Sequence, residues 1–499
     1  MHPSILSILI IITTALSITS AAYKPAAPEI KTDPASLSKG STDYGNIVHE
    51  IPAGVAYPSS EKDVVELIRA SHASAEGPFA VAARGRGHSV RGQAMAGGGV
   101  VVDMTALGRE KKRIRIDLEG MYADVGGEQL WIDVLRETVA EGVAPVSWTD
   151  YVYLSVGGTL SNAGISGQAF MHGPQISNVV ELDVVTGKGE FMTCSRTRNP
   201  ELFFGVLGGL GQFGIITRAR IILDKAPIRV KWAKLLYSDF TAFTRDQEHL
   251  ISNNASNYVE GFIVTNENAA SDWTSSSPSR KSDVAALIKK QGVLYSIELV
   301  KYYDNYTAAT IDQEFETLLK ELKYMSGYNV TTDASFVEFI SRVGDLDNGT
   351  PPLPSHPWLN LFIPKSSIVE FNAGVLAGML PKLNDPKLNE TFGIFIFYPF
   401  NRNKWDDRMT AVVPDEEVFY TLAALHTTPQ DGYKSIDEFN NDILEFCKSR
   451  GLNVKQYLPN IKSKKEWIDH FGSKWETVEK RKAMFDPENI LSPGQRIFN

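Results

Sequence analysis

Three glycine-rich stretches constrain what this chain can fold into, at residues 85–99, 157–167 and 205–214. Glycine allows positive φ angles and leaves peptide N–H groups open to a ligand, so loops of this kind suit phosphates and pyrophosphates. Glycines that only form tight turns in a compact α/β domain are the alternative for any single stretch. That alternative explains three such stretches together less well, so the sequence favours a phosphate-bearing ligand.

The familiar nucleotide-binding and hydrolase motifs do not occur in these stretches. Gly85-x-Gly87 lacks the third glycine of the dinucleotide fingerprint, and no glycine loop ends in the Gly-Lys-Ser/Thr of a P-loop. Gly164 and Gly167 do not have the spacing of a nucleophile elbow. The sequence therefore excludes the classical Rossmann, P-loop and α/β-hydrolase folds.

The first half of the chain alternates predicted helices and strands. Residues 61–71 form a helix with one apolar stripe, and Ser60 with Asp63 resembles a capping box at its start. The run from Phe79 to Ala83 predicts a strand that leads directly into a glycine loop. The other predicted elements are strands at 99–104, 122–125, 178–185 and 190–193, the last two as a hairpin, and a helix at 128–141.

The character of the sequence changes near Ala226-Pro227. Glycine density falls there and longer helices are predicted, at 312–323 and 436–449. We therefore expect a domain boundary at this point. The final segment, from about Asn453, ends in a stretch that Pro and Gly interrupt, so it cannot be one regular element. We expect this segment to pack back on another part of the chain.

Composition and charge narrow the class of protein. The 499 residues carry 50 Lys and Arg against 59 Asp and Glu, which is a formal net charge of −9 at pH 7. With 43% hydrophobic and 22% charged residues, the chain is an ordinary globular protein and not a disordered, collagen-like or polytopic membrane chain. Nucleic-acid binding depends on clustered Lys and Arg, so nucleic acid is not an expected partner.

Residues 1–22 have the pattern of a secretory signal peptide. The stretch from Ile5 to Ile18 is apolar but too short to span a bilayer comfortably, and small residues follow it. Because no Lys or Arg precedes Ile5, a signal anchor or a disordered N-terminus stays open as an alternative. No later segment predicts a membrane span, and we expect the protein to enter the secretory pathway.

Sequons and cysteines are consistent with that route. Asn-x-Ser/Thr triplets begin at Asn254, Asn305, Asn329, Asn348 and Asn389. Cys194 and Cys447 would be allowed to form one disulfide in an oxidising compartment, but nothing in the sequence brings them together. Buried free thiols are the favoured interpretation. Neither cysteine has metal-ligand spacing, and no metal site is expected.

His88 lies in the loop with the most specific pattern. Imidazole is a nitrogen nucleophile that is neutral near pH 7, and the glycine before it leaves room for the edge of a ligand. The run Arg84-Gly85-Arg86-Gly87-His88-Ser89 resembles the signature of flavoproteins of the vanillyl-alcohol-oxidase type, which have a PCMH-type FAD-binding domain. In that family this histidine is bonded covalently to the flavin ring methyl. The resemblance therefore implies FAD attached through His88.

The resemblance covers the chain from about Tyr44 to its end and narrows to the plant cytokinin dehydrogenase family. Six spaced blocks carry it: Gly85-Arg86-Gly87-His88-Ser89, Trp148-Thr149-Asp150-Tyr151, Val156-Gly157-Gly158-Thr159-Leu160-Ser161-Asn162-Ala163-Gly164, Tyr258-Val259-Glu260-Gly261, His356-Pro357-Trp358-Leu359-Asn360 and Leu491-Ser492-Pro493-Gly494-Gln495. The family implies an α+β fold of two domains. Residues 47–224 and 453–499 would form the FAD-binding domain. Residues 225–452 would form a central α+β substrate domain with an antiparallel sheet.

Members of this family cleave the N6 side chain of isopentenyladenine-type and zeatin-type cytokinins oxidatively, giving adenine and an unsaturated aldehyde. The match at Trp148-Thr149-Asp150 implies that Asp150 takes the amine proton while hydride passes to the flavin. Glu260, in a predicted strand, matches the carboxylate that holds the purine side of the substrate. Trp358 and Asn360 are expected to line the substrate cavity. Without the resemblance, a loop cap for Asp150 and an exposed strand position for Glu260 are equally good interpretations.

The resemblance also implies a set of FAD-binding residues, many of which would act through backbone groups. Ala83 stands where an aromatic residue can occur in relatives, and Ser155 replaces a threonine while keeping its hydroxyl group. The register leaves open whether Ile215 or Ile216 contacts the flavin, and we assign Ile216. The expected FAD contacts are Ala83, Gly85, Arg86, Gly87, Ser89, Gln93, Asp150, Ser155, Ser161, Ile165, Ile216, Tyr457, Ser492 and Gln495.

Two other functions stay open at this point. A covalent-flavin oxidase of sugars or aldonolactones is the nearest alternative, although the cysteine that a second flavin bond needs is missing, since no Cys precedes Cys194. A catalytically silent protein that binds a purine hormone would lack Asp150 or His88, and both are present. The expected partners are an N6-isoprenoid adenine and a small electron acceptor such as a quinone or oxygen. The protein is expected to be a monomer outside the membrane, in the apoplast, with the endoplasmic reticulum or vacuole as alternatives.

Overall fold

The structure is a computed structural model that describes residues 28–109, 111–265, 278–346, 353–384 and 391–498. Its strands are β1 (Glu29–Lys31), β2 (Gly54–Tyr57), β3 (Val81–Arg84), β4 (Val100–Asp103), β5 (Ile114–Asp117), β6 (Tyr122–Gly126), β7 (Val143–Pro145), β8 (Val179–Val185), β9 (Phe191–Ser195), β10 (Ile215–Lys225), β11 (Arg229–Tyr237), β12 (Tyr258–Val264), β13 (Leu294–Tyr303), β14 (Asn329–Ser335), β15 (Leu359–Pro364), β16 (Phe392–Asn401), β17 (Val418–Thr427) and β18 (Lys455–Gln456).

Helices cover the sheets and connect their strands. The α-helices are Pro34–Gly40, Glu61–His72, Trp131–Ala140, Val156–Leu160, Ala169–His172, Pro200–Val206, Phe240–Asn253, Pro278–Gln291, Ile311–Glu321, Phe336–Ile340, Ile368–Phe371, Tyr433–Ser449, Lys464–Phe471 and Trp475–Phe485. Single turns of 3₁₀ or π helix occur at Met104–Gly108, Gln175–Asn178, Lys365–Ser367, Asn372–Leu376, Leu380–Asn384, Arg402–Lys404, Gly472–Lys474 and Pro493–Gln495.

The first sheet has the strand order β1-β2-β4-β3, and β4 pairs in parallel with both β2 and β3. Val100, Val101 and Val102 of its β4 strand are all buried, as expected where both faces of parallel strands are covered. The apolar stripe of helix Glu61–His72 packs in one cluster with Val81 and Val100. This packing holds the end of β3 in place, and the glycine loop begins there.

The second sheet is antiparallel, with the order β5-β6-β10-β8-β9 and β7 paired to β10. It ends at Lys225, and β11 of the third sheet begins at Arg229, on the other side of the boundary expected near Pro227. The third sheet has eight strands in the order β14-β11-β13-β12-β16-β17-β15-β18, and all their pairings are antiparallel.

Helix Phe240–Asn253 lies directly on the eight-stranded sheet, and Gly261 allows this close approach. A Cβ atom at Gly261 would lie 2.2 Å from the carbonyl oxygen of Phe397 and 2.3 Å from Nε2 of Gln247. Because successive strand residues point to opposite faces, Tyr258 and Glu260 face away from this helix. Because Gly261 faces the helix, Glu260 lies on the opposite face of β12.

Both ends of the described chain join the sheets. β1 pairs with β2, so residues 29–31, which lie before the expected start of the first domain, belong to its sheet. At the other end, β18 pairs with β15 of the eight-stranded sheet, and the chain then returns to β3, where Leu491 bridges Val81. The expectation that the final segment packs back on an earlier part of the chain is confirmed.

Most of the expected elements are present, with small differences at their ends. The capping box of Ser60 and Asp63 is formed at the start of helix Glu61–His72. The helix expected from Glu128 begins instead at Trp131, because the buried Glu128 side chain accepts a hydrogen bond from Arg113 and the Gln129 carbonyl group accepts one from Val156. Buried polar contacts here outweigh the helical pattern.

The structure bears on only some of the expectations about the signal peptide, sequons, cysteines, membrane spans and metal sites. The signal peptide at residues 1–22, Asn348 and Asn389 lie outside the described residues. Cys194 and Cys447 are buried free thiols, which confirms the favoured interpretation. None of the helices in the described ranges is long and apolar enough to cross a membrane. No group of His, Cys, Asp and Glu within those ranges has an arrangement that could hold a metal ion.

Candidate active site

A cavity of about 330 Å³ lies where β15, β16 and β17 face the three glycine-rich stretches. Its volume falls within the range of about 300–1,000 Å³ that is typical of small-molecule sites. Trp358 and Asn360 line it, and so do both Ile215 and Ile216. The structure also brings together in this wall every residue expected to contact FAD: Ala83, Gly85, Arg86, Gly87, Ser89, Gln93, Asp150, Ser155, Ser161, Ile165, Ile216, Tyr457, Ser492 and Gln495.

The loop after β3 forms one side of the cavity, and its glycines are required by their surroundings. A Cβ atom at Gly85 would lie 2.1 Å from Oγ of Ser155. Gly87 has a φ angle of +80°, a conformation that favours glycine. The glycine pattern in the sequence therefore reflects close packing of this loop against the loop that carries Ser155.

Asp43 organises the same loop from behind. One of its carboxylate oxygens accepts hydrogen bonds from Oγ of Ser89 at 2.8 Å and from the backbone N–H of Gly92 at 2.7 Å. Burial raises the pKa of Asp43, while these hydrogen bonds oppose the rise. Asp43 thus holds both ends of the segment 89–92, which directly follows His88.

His88 lies in a stack of three rings at the cavity wall. Its ring centroid is 3.7 Å from that of Tyr44, and Tyr44 stacks in turn on His356 at 4.0 Å. Burial lowers the pKa of His88 to about 3, so the imidazole is neutral over the physiological pH range. A neutral imidazole can act as a nucleophile, which is the chemical state that attachment to a flavin requires.

The opposite side of the cavity comes from the C-terminal segment. Ser492 donates a hydrogen bond from Oγ to the carbonyl oxygen of Gly211 at 3.0 Å, and Gly211 has a φ angle of +72°. Tyr457 accepts a hydrogen bond from the N–H of Gly164 at 3.3 Å and donates its own N–H to Asn360 at 2.9 Å. Tyr457 therefore joins a glycine-rich loop to the substrate-side strand β15.

Asp150 and Glu260 are neighbours in the structure, with their carboxyl groups in hydrogen-bonding contact. Burial raises the pKa of Glu260 well above its usual range, and the charge of Asp150 raises it further. Among the described residues, no N–H or hydroxyl donor reaches Oδ1 of Asp150 or Oε1 of Glu260, and both oxygens are buried. Burial and the charge of Asp150 therefore both favour the protonated form of Glu260.

Glu260 lies behind the cavity wall. The resemblance implies that it holds the purine side of the substrate and belongs with Asp150 to the catalytic residues. In the structure Glu260 is 1% exposed, contacts Asp150 and does not line the cavity, whereas Asp150 does. The reason is geometrical, because Glu260 points from the sheet face opposite helix Phe240–Asn253 toward the loop that carries Asp150.

A second polar contact closes the region around His88. Nη2 of Arg86 lies 3.3 Å from the carboxylate of Asp345, and the hydroxyl group of Tyr151 donates to the same carboxylate at 3.3 Å. The ring of Tyr151 is itself 4.7 Å from that of His88. The loop after helix Phe336–Ile340 is thus tied to the glycine loop beside the cavity.

Sequence reasoning missed Asp43, Tyr44, Glu298, Arg342 and Asp345. Asp43 and Tyr44 follow a Pro- and Ser-rich stretch at residues 24–41, and no local pattern distinguishes them. Glu298 and Arg342 are single charged residues whose partners are distant in sequence. The alternation of residues around position 298 is the one signal that could have placed Glu298 on a particular face of a strand. It could not have shown that Glu260 lies opposite.

The residues around the cavity fit a flavin dinucleotide. A Cβ atom at Gly85 would clash with Ser155, and one at Gly211 would clash with Ser492. Only glycine therefore allows these loops to pack closely and leave their backbone groups open to a ligand. Oε1 of Gln495 and Nε1 of Trp358 are buried cavity-lining atoms that no hydrogen-bond partner from the described ranges reaches. A glycine cradle with such groups suits a pyrophosphate and a polar ring system.

Two family models match the chain. One, described as cytokinin dehydrogenase 1, FAD and cytokinin binding, matches residues 227–498, and an FAD-binding-domain model matches residues 52–195. Cytokinin dehydrogenase 2 from Arabidopsis thaliana is 48% identical over 479 residues, covering 94% of this chain and 93% of the relative.

Solved structures agree on the fold. A carbohydrate oxidase from Microdochium nivale has a TM-score of 0.72 at 15% identity and covers 98% of both chains. A 6-hydroxy-D-nicotine oxidase from Arthrobacter nicotinovorans has a TM-score of 0.69 at 18% identity and covers 94% of this chain and 98% of its own. The expected α+β fold of the vanillyl-alcohol-oxidase type, FAD as cofactor and a cytokinin as substrate are confirmed. The chain belongs to the cytokinin dehydrogenase family of FAD-dependent oxidoreductases.

Proposed function

We propose that this protein cleaves the N6 side chain of isopentenyladenine-type and zeatin-type cytokinins, with Asp150 as the acceptor of the amine proton. The N–H proton passes to Asp150, the adjacent allylic C–H bond is broken with loss of hydride, and the resulting imine is hydrolysed to adenine and an unsaturated aldehyde. When bound, FAD supplies the acceptor for the two electrons. The confirmed family and the site chemistry support this proposal together.

The observation that carries the proposal is the carboxyl pair of Asp150 and Glu260. A buried carboxyl group beside a second carboxylate is costly to ionise, so burial and contact with Asp150 raise the pKa of Glu260. Glu260 is therefore the group of this pair that favours the protonated form. Asp150 lines the cavity, so a base faces the substrate while its protonated partner stays behind the wall.

His88 is the proposed point of covalent attachment. Its neutral imidazole lines the cavity and is held in a fixed orientation by the ring of Tyr44. A ring that is already oriented loses little freedom when it forms a bond, which favours reaction at this position over reaction at a mobile side chain.

Trp358 and Asn360 are the proposed contacts for the purine. Both line the cavity on the side of the eight-stranded sheet, and no partner from the described residues reaches the indole Nε1 of Trp358. An aromatic face and nearby polar atoms suit a flat heterocycle that carries hydrogen-bonding nitrogens. Holding the ring there would orient the side-chain amine toward Asp150.

Single-turnover reduction of the holoenzyme by isopentenyladenine tests the proposal. Asp150→Asn keeps the size and polarity of the side chain but removes the base, so we expect flavin reduction to slow by about 10²–10⁴-fold with FAD content unchanged. Release of 3-methyl-2-butenal and adenine should fall in parallel. A reduction rate equal to that of the unmodified enzyme would rule out Asp150 as the proton acceptor.

A substrate panel distinguishes this activity from that of a sugar or aldonolactone oxidase. Isopentenyladenine and zeatin should reduce the flavin, whereas glucose, cello-oligosaccharides and galactonolactone should not. Turnover of the sugars or lactones alone would overturn the proposed function.

Asp333→Asn on β14 is the matched control for Asp150→Asn, because it makes the same substitution outside the cavity. Asp333 pairs with Arg229 at the far edge of the sheet, so this variant should reduce its flavin at the unmodified rate.

A further inference from the structure

Glu260 and Glu298 are directly opposite each other on neighbouring strands. They are register partners in the antiparallel pair of β12 and β13, and their exposures are 1% and 2%. Side chains of directly opposite residues point to the same face and lie close together, and like charges in this arrangement destabilise a sheet. An acidic pair buried at this position requires a compensating group.

Arg342 is that group. Its Nη2 donates to the hydroxyl group of Tyr258 at 2.5 Å and lies 3.3 Å from Oε2 of Glu260, while its Nε lies 3.3 Å from Oε1 of Glu298. Its guanidinium carbon lies 4.5 Å from the ring centre of Phe339. The arginine side chain is 16% exposed and does not line the cavity. Arg342 therefore contacts Glu260 and Glu298 from the side that faces away from the cavity.

The geometry points to a function for this arrangement beyond folding. We propose that Arg342 and Glu298 are positioning residues that set the protonation equilibrium of the Asp150 and Glu260 pair, with opposite effects. The inference rests on the proposed function of Asp150. Neither residue touches the substrate cavity, and both act through Glu260.

The signs follow from the charges that face Glu260. The positive charge of Arg342 favours the ionised form of Glu260 and lowers its pKa, whereas the negative charges of Asp150 and Glu298 raise it. Four tyrosines complete the surroundings: Tyr258, Tyr302, Tyr398 and Tyr457. Burial raises the pKa of each of these hydroxyl groups, so the tyrosines stay neutral in the working pH range.

The pH profile of kcat/KM for isopentenyladenine measures this balance in the full-length holoenzyme. The acidic limb of this profile, where activity falls toward low pH, reports protonation of the pair formed by Asp150 and Glu260. Glu298→Gln removes a negative charge with almost no change in shape, so that limb should move to lower pH by on the order of one unit. Arg342→Met removes the positive charge, and the limb should move to higher pH. Arg342→Lys keeps the charge and should restore the position of the limb.

Infrared spectroscopy provides a readout that does not depend on turnover. The stretching band of a protonated carboxyl group should be present in the oxidised holoenzyme and absent in Glu260→Gln. Its loss on raising the pH should occur at lower pH in Glu298→Gln than in the unmodified protein. If Arg342→Met does not fold, Glu298→Gln decides the question by itself through both measurements.

Matched controls separate this effect from general changes in charge. Arg229→Met and Glu314→Gln change the same residue types at exposed positions, and both should leave the pH profile in place. An unmoved limb in Glu298→Gln, or shifts of the same sign in Glu298→Gln and Arg342→Met, would overturn the inference. The proposed function fails separately, when Asp150→Asn reduces its flavin at the unmodified rate.

Discussion

Single residues show where sequence reasoning succeeds and where it stops. His88 and Asp150 are identifiable because each lies in a short, specific run of residues, and the structure places both at one cavity. The neighbour of Asp150 could not be read from the sequence, because contact between Asp150 and Glu260 depends on the packing of a loop on a distant strand. The resemblance implies a role for Glu260 but not its contact with Asp150, which folding alone provides.

Covalent attachment through His88 is a prediction at this scale. In His88→Ala the nucleophile is missing, so flavin fluorescence should disappear from the polypeptide band after denaturing electrophoresis, while some dissociable FAD is retained by the glycine cradle. His172→Ala is the matched control, since His172 does not line the cavity. Fluorescence that stays with the His88→Ala polypeptide would place the bond on another residue.

Among the elements, those with strong local signals are the ones that sequence predicts. Helix Glu61–His72 has its capping box and one apolar stripe, and the strands β3, β4, β6 and β8 follow apolar runs between turn residues. The register of β12 against β13 has no local signal, although it brings Glu260 opposite Glu298. Register depends on which faces are buried, and a single sequence does not contain that information.

Helix Trp475–Phe485 and the segment after it lead to a prediction about stability. Asp486 is fully buried, pairs with Nζ of Lys482 at 2.7 Å and accepts hydrogen bonds from the N–H groups of Ile490 and Leu491. Asp486→Ala leaves the buried ammonium group of Lys482 with hydrogen bonds to Gln212 but without a carboxylate to balance its charge. The free energy of unfolding should therefore fall by about 3–5 kcal/mol.

Chemical denaturation measures this loss, and the same helix supplies the control. Glu476 and Lys480 have the same four-residue spacing, but both side chains are more than two-thirds exposed. Glu476→Ala should therefore change the free energy of unfolding by less than about 0.5 kcal/mol. Equal effects of the two substitutions would contradict the importance of burial at Asp486.

For the molecule as a whole, the sequence predicts two parts and the boundary between them, but not that residues 29–31 join the first sheet. The change of composition near Pro227 coincides with the passage from the second sheet to the third. The pairing of β1 with β2 has no counterpart in the sequence pattern, since the three residues of β1 lie within the Pro- and Ser-rich stretch 24–41 and give no strand signal. Short edge strands are stabilised by the sheet that they join.

The expected entry into the secretory pathway leads to a prediction about surface chemistry. Asn254 is exposed and has a φ angle of +51°, and Asn305 is exposed beside Tyr306, whereas Asn329 begins β14 and is half-buried. We expect glycans at Asn254 and Asn305 in protein secreted by plant cells. Asn254→Asp, which tolerates this backbone conformation, and Asn305→Gln should each remove one glycan.

The mass of the intact protein before and after treatment with a peptide N-glycosidase measures these modifications. Each substitution should reduce the difference in mass by one glycan, with Asn254→Asp retaining the thermal stability of the unmodified protein. A secreted protein whose mass does not change on treatment would contradict both assignments.

The return of the chain from β18 to β3 has a consequence for biosynthesis. Ser492 and Gln495, which lie against the same cavity as Gly85 and His88, leave the ribosome long after those two residues. An emerging chain therefore contains the imidazole of His88 before it contains the wall that faces it. We expect flavin to be bound only after the C-terminal segment has been synthesised, so a premature stop codon before Ser492 should yield a protein that is colourless.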